Sequence, residues 1–355
     1  MNSYYNNIPD YMPDKNKLLK KNAKKAVNTV ALSVIISTAV TYVLVIVTAF
    51  ATPILQKLLV SALMNINGDS FSHAKAVANS FLLSNEFSWF SSVVMSLVCS
   101  FLPYAVMSKT LFGMPLHKAA PMEGKILWSF PILYCAITML ARTASMAVNG
   151  IFSFILPDAY GKSPADTVAI YGESSGAASL ILCFLAMCIV APFIEEFIYR
   201  GIIFGHLRKF GFVFAAFSSS LFFGLAHATV EQIAHTFVSG LIFCLIAEKT
   251  KNLKTGILIH FLNNFIAYVQ AYILPLAGSD RVIEIFDTVY VILYGIFSVA
   301  GIIILFVHKE KKDDDGNNGN THDEYEENAP VSCFFCVGSI FVILFSVFNL
   351  VLGML

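Results

Sequence analysis

The sequence predicts an all-α polytopic membrane protein, a transmembrane helix bundle with about eight to nine membrane helices. Three observations predict it. Hydrophobic residues make up 57% of the 355 and charged residues only 13%, with mean hydropathy +0.71, a balance unlike that of a soluble globular domain. The apolar residues gather into stretches long enough to cross ~30 Å of hydrocarbon as helices. The loops between those stretches alternate in positive charge.

Residues 1–25 form a basic tail with Lys15, Lys17, Lys20, Lys21, Lys24 and Lys25. The first stretch, 26–51, has no small-residue cleavage site, so it is expected to remain as an anchor rather than leave as a signal peptide. Stretches 88–108 and 126–149 complete the N-terminal membrane region, 26–170. The second of them carries Arg142, expected to partner a carbonyl or an acidic side chain or, alternatively, a substrate carboxylate. The region 171–275 holds 178–200, 211–228, 232–248 and 255–275, of which 232–248 is the shortest. One further helix, 286–308, fills the region 276–308. Residues 309–331, dense in Lys, Asp, Asn and Glu, cannot bury enough apolar surface to fold and are expected to be a flexible charged linker. The C-terminal region 332–355 is hydrophobic again, with a helix expected over 332–354.

Every second loop is basic: Lys109, Lys118 and Lys125, then Arg208 and Lys209, then Lys249, Lys251 and Lys254, then Lys309, Lys311 and Lys312. This places the N-terminus in the cytoplasm. Nine crossings put the C-terminus outside, whereas a last segment lying on the surface keeps it inside. The short basic loops fit a bacterial plasma membrane. The formal net charge is zero and no basic groove interleaves with aromatics, so the expected partners are the lipid bilayer and a peptide or membrane-protein substrate, not nucleic acid. The cysteines, Cys99, Cys135, Cys183, Cys188, Cys244, Cys333 and Cys336, read as small buried hydrophobes. Cys333-Phe-Phe-Cys336 has a redox or metal spacing but no second pair.

The chemistry lies between residues 191 and 264. Ionisable groups in lipid are costly and mark machinery by default. In Ala-Pro-Phe-Ile-Glu-Glu-Phe-Ile-Tyr-Arg (191–200), Glu196 and Arg200 share a helix face, which leaves Glu195, about 100° away, to project toward a cavity. An interfacial snorkelling cluster is the bland alternative. His227 closes Phe222-Phe223-Gly224-Leu225-Ala226-His227, where a structural helix-end role is the alternative, and Glu231 and His235 continue its spacing. His260 and Asn264 share one face of the next segment, facing Glu195 or forming an interhelical clasp. Three polar clusters on three apolar segments favour one shared site.

These residues resemble the CAAX-prenyl endopeptidase and bacteriocin-processing (CPBP, or Abi) intramembrane proteases. The pattern E-E-x-x-x-R, F-x-x-x-H, H-x-x-x-N is met in order by Glu195, Glu196 and Arg200, by Phe223 and His227, and by His260 and Asn264. The resemblance implies an endopeptidase in which Glu195 and His227 activate water while His260 and Asn264 stabilise the oxyanion, with Glu196, Arg200 and Phe223 supporting the site. A carboxylate at low dielectric suits a general base near neutral pH. The resemblance leaves the cofactor open between none and zinc. Glu195, His227 and His260 would form a two-His-one-carboxylate zinc site, but H-E-x-x-H is missing and Asn264 suits an oxyanion, so glutamate chemistry is the favoured form.

Two other classes compete. A transporter also places polar groups at membrane depth, but no matching halves with broken helices are seen. A non-catalytic scaffold or bacteriocin self-immunity protein would keep the fold without turnover. One geometric difficulty follows from the spans: His227 lies ~25 Å along its helix from the loop at Gly211 and His260 only ~9 Å from the loop at Lys254. They meet only if the helix carrying Glu195 and Arg200 protrudes, or if the Gly211 loop is re-entrant.

Overall fold

A computed structural model describes residues 15–123, 126, 146–147, 150–151, 153–154, 176–227, 230–307 and 328–354. Arg142, Cys135 and nearly all of the expected 126–149 segment lie outside the described residues, as does the linker up to residue 327.

Among the described residues the secondary structure is helical, without strands. The helices are α1 (Lys15–Asn67), α2 (Phe71–Leu82), α3 (Asn85–Thr110), α4 (Ala177–Phe210), α5 (Phe212–Leu225), α6 (Val230–Thr250), α7 (Lys254–Ala277), α8 (Asp280–Val307) and α9 (Val337–Met354). Within the described residues five helices are long and apolar enough to cross a membrane: α1, α3, α4, α7 and the Gln232–Thr250 part of α6. The protein is thus an integral membrane protein with a helical architecture.

Two expected spans change shape. The first is not a 26-residue anchor followed by an external loop: α1 runs unbroken for 53 residues, ~80 Å at 1.5 Å per residue. Its end folds back onto α2, which Ser70 caps by accepting from the His73 amide. The expected 211–228 span is a 14-residue helix, ~21 Å long and short of the hydrocarbon thickness. Its partner α4 makes up the difference with 34 residues, ~51 Å.

The short helix resolves the depth conflict. Glu195 and His227 each lie sixteen positions from Gly211, which turns the chain at φ +102°, so the α4–α5 hairpin brings them to the same level. The α6–α7 loop stops lower. The Leu253 amide donates to the Pro121 carbonyl, and both Leu253 and Ala119 crowd the space that a Cβ on Gly201 would take. The loop is therefore level with Gly201, nine residues before α4 ends. The protruding helix is what reconciles His227 with His260.

The flanking helices close on this core. Asn328 fills the space beside Gly211 and the Ala329 amide donates to the Phe210 carbonyl at 2.9 Å, so the linker is docked at its end. Phe334 is buried against Phe217 and Phe222. Cys333 and Cys336 are buried free thiols, as are the other four described cysteines. The last helix begins at Val337 rather than 332, where the Asn28 side chain accepts from the Gly338 amide at 2.9 Å and from the Cys336 thiol at 3.0 Å. One asparagine on α1 thus caps α9.

Candidate active site

Helix α4 is α-helical around Ala191–Glu195 and widened into π-helical turns on either side, Leu185–Val190 and Glu196–Phe204. Such turns are a frequent feature of functional sites. The sequence explains one consequence. In the first wide turn the Ala191 amide bonds to the carbonyl five residues back, at Ala186. The next such bond would come from residue 192, but Pro192 has no N–H, so the Met187 carbonyl is left without its helical donor. Asn264 of α7 supplies one, its Nδ2 lying 2.8 Å from that oxygen.

One turn earlier on α7, His260 sits between both carboxylates. Its Nδ1 is 3.1 Å from Glu196 Oε1 and its Nε2 is 3.5 Å from Glu195 Oε2. The expected division of the adjacent glutamates holds with one added contact: Glu196 pairs with Arg200, Nη1 to Oε1 at 3.3 Å, and it also holds the imidazole. Glu195 remains the reachable carboxylate, its side chain 27% exposed against 1% for Glu196. Space for Glu196 comes from Gly256, where a Cβ would stand 3.1 Å from Glu196 Oε2.

Arg200 is buried, and its guanidinium nitrogens make no hydrogen bond among the described residues. Its charge is met by Glu196 and by two aromatic faces, Phe223 at 4.4 Å and Phe243 at 4.8 Å, a cation–π arrangement that matters most where water is excluded. Phe243 also stacks on the His260 ring at 5.0 Å. Phe223 stands edge to face with His227 at 5.0 Å and lies 6.2 Å from His260.

His227 is fixed by the end of α5. Its backbone amide bonds to the Gly224 carbonyl, leaving the Phe223 carbonyl for the side chain, whose Nδ1 lies 2.9 Å away. A carbonyl only accepts, so Nδ1 carries the proton and Nε2 presents a lone pair. Among the described residues that nitrogen has no bonded partner.

The structure thus brings together Glu195, Glu196, Arg200, Phe223 and His260. Asn264 lies next to them, but its amide holds the Met187 carbonyl rather than facing Glu195. His227 lies across the Phe223 ring and makes no hydrogen bond or ion pair with Glu195 among the described residues. The zinc alternative, Glu195 with His227 and His260, has no donor set: among the described residues no three His, Cys, Asp or Glu side chains are grouped to hold a metal ion. The sequence reading missed Phe243, Gly256 and Pro192. Gly256 and Pro192 left a signal, since Gly256 lies one turn before His260 and a proline inside a helix frees a carbonyl behind it. Phe243 left none among so many phenylalanines.

Residues 177–266 match the family described as Type II CAAX prenyl endopeptidase Rce1-like, and over that segment the resemblance read from the motifs is borne out. Two curated relatives overlap the same region. A Bacillus subtilis (strain 168) protein provisionally named membrane peptidase YdiL is 35% identical over 112 residues, covering 31% of this chain and 45% of the relative. The membrane-embedded CAAX protease MroQ of Staphylococcus aureus (strain USA300) is 40% identical over 83 residues, covering 21% of this chain and 34% of the relative. The matches span less than half the length of either relative. No solved structure matches the chain.

Proposed function

We propose that the protein is an intramembrane endopeptidase with Glu195 as general base. The observation that supports this most is the His260 imidazole: Glu196 holds it at Nδ1, which aims Nε2 at the exposed Glu195, inside a segment that matches a peptidase family. Buried, paired Glu196 and Arg200 orient the ring, while Glu195 is free to meet water.

In this reading a water molecule gives a proton to Glu195 as its oxygen bonds to the carbonyl carbon of the substrate peptide. The carbonyl electron pair moves onto oxygen, and in this reading the His260 ring, doubly protonated between the two carboxylates, donates to that oxyanion from Nε2 together with the second amide hydrogen of Asn264. Donors preorganised in a site shielded from water typically supply about 3 kcal/mol each. Collapse of the tetrahedral species breaks the C–N bond, and the proton on Glu195 passes to the leaving amine. His227, with its lone pair on Nε2, exchanges protons with the site only through intervening water, because the Phe223 ring stands beside it. No step is routed through a metal, because among the described residues no donor set for one is grouped. The alternating basic loops further support a bacterial plasma membrane with a cytoplasmic N-terminus.

The test is cleavage of a membrane-peptide library by the purified full-length protein and by Glu195→Ala, with zinc content measured on the same samples. Wild-type cleavage that persists in chelator and disappears in the variant is the expected result. Cleavage that requires stoichiometric zinc would restore the metal reading. No wild-type cleavage, with the same cellular phenotype for both proteins, would favour the non-catalytic scaffold.

A further inference from the structure

Beside His227 lies a cavity of about 550 Å³ whose walls come from α1, α3 and α9, from the Ile198–Tyr199 face of α4 and from the end of α5. Both α1 and α9 lie outside the segment that matches the peptidase family.

Its floor carries chemistry. His227 contributes the ring whose Nε2 is unpartnered, and Tyr199, one turn along α4 from Glu195, contributes a phenol with no hydrogen bond among the described residues. Its walls are not plain hydrocarbon. Thr38 of α1 and Ser100 of α3 line it with hydroxyls that also lack hydrogen bonds among the described residues, and Ser346 and Asn349 line it from α9. At one end the Tyr42 hydroxyl donates to Asn349 Oδ1 at 3.3 Å, joining α1 to α9.

Size and polarity together select an occupant. The lining runs from Val34 to Tyr42 on α1 and from Phe341 to Leu350 on α9, ~12–14 Å at helical rise. An extended chain covers that distance in about four residues at ~3.3 Å each. Hydroxyls at membrane depth need partners. An alkyl chain offers none, whereas an extended peptide offers an N–H and a C=O at every residue. We infer that the α1–α9 cavity binds a stretch of about four residues of an extended peptide substrate and leads it to His227. This assignment rests on the peptidase reading for its choice of substrate.

The experiment separates the two. Full-length Glu195→Ala protein in nanodiscs is irradiated with a pool of membrane peptides carrying benzoylphenylalanine, and the adducts are mapped by mass spectrometry; a photoactivatable fatty acid forms the second arm. Peptide adducts on residues 34–42 and 341–350, displaced by unlabelled peptide, are the expected result. Thr38→Phe, which fills the cavity away from the motif residues, should raise KM at least tenfold while changing kcat less than threefold. Peptide adducts on these two helices without any wild-type cleavage would leave the cavity as a peptide site and remove the peptidase reading. Peptide adducts confined to other helices would overturn the inference, as would fatty-acid adducts here that peptide does not displace, or an unchanged KM in folded Thr38→Phe.

Discussion

The motif helices α4–α7 and the flanking helices α1 and α9 solve the same problem differently. Both must satisfy polar groups at membrane depth. In the core the partners are charged: Glu196 faces Arg200 and His260, and Arg200 is sandwiched by Phe223 and Phe243. In the flanks the partners are small and neutral, as where Asn28 caps α9 and the Ser346 hydroxyl donates to the Leu225 carbonyl at the end of α5. Charge networks leave no slack, because removing one member strands another in low dielectric. Neutral clasps can be exchanged for others of similar geometry.

The sharpest way to break the contrast is Arg200→Ala. It leaves the buried Glu196 carboxylate without its cation, a loss of about 3–5 kcal/mol by analogy with other broken buried pairs. Thermal unfolding in detergent should show a large drop in midpoint. Arg200→Lys should recover only part of it, because an ammonium lacks the flat face that packs between two rings. A midpoint unchanged in Arg200→Ala would show that neither the ion pair nor the ring sandwich stabilises the turn.

Asn264 sharpens the comparison within the core, because it carries a structural bond and a proposed catalytic one. Asn264→Ala removes the donor to the Met187 carbonyl, a loss of about 0.6 kcal/mol for an interhelical bond in lipid. Pro192→Ala restores an N–H beside that carbonyl, so the two stability effects should couple in a double-mutant cycle. The rate should not couple. Loss of an oxyanion donor lowers kcat by about 10²–10³, and Pro192→Ala should not rescue it. Rescue of kcat in the double variant would make Asn264 a positioning residue alone.

How much of this was legible follows the same division. The pairing of Glu196 with Arg200 could be read from i, i+4 spacing, because a helix face is a local property of sequence. The convergence of His260 on α4 could be read from the cost of leaving polar groups alone in lipid. The double contact of His260 could not, since it depends on how α4 is wound: turns of varying width around 191–195 change the angle between neighbouring side chains. The length of α1 was hidden for a related reason. Hydropathy marks where a helix meets hydrocarbon but not where its hydrogen bonds end, and α1 continues well past its apolar part. The short span of α5 was concealed by four further residues that look apolar enough to extend it.

Gly256 tests how tightly the core is drawn. Alanine there brings a Cβ to about 3.1 Å from Glu196 Oε2, closer than comfortable contact, and the carboxylate is already held by Arg200 and His260. Overpacking of this kind typically costs about 1–3 kcal/mol. The expected outcome is a lower midpoint together with a fall in kcat, as His260 is displaced from Glu195. Gly240, where a Cβ would crowd Ser220, is the control on the α5–α6 contact: its alanine variant should lower the midpoint with a smaller change in kcat.

The smallest effect belongs to the flank, where Asn28 holds the start of α9. Cys333, in the docked segment before that helix, has its thiol pushed above the usual range by burial, with Lys24 and Lys20 pulling weakly the other way. The thiol form therefore predominates at neutral pH, and only the thiolate reacts readily. Maleimide labelling must then wait for the segment to open locally, so its rate reports the stability of the docking rather than of the whole fold. Asn28→Ala removes the acceptor for the Gly338 amide and the Cys336 thiol, a cap worth about 1 kcal/mol, and should speed labelling of Cys333 by about fivefold. Adding Asn28→Ala to Arg200→Ala should shift the midpoint only by what Asn28→Ala does alone, because well-separated sites add independently. Coupling between the two would mean that the neutral clasp and the charged network hold one unit, and the contrast between flank and core would fall.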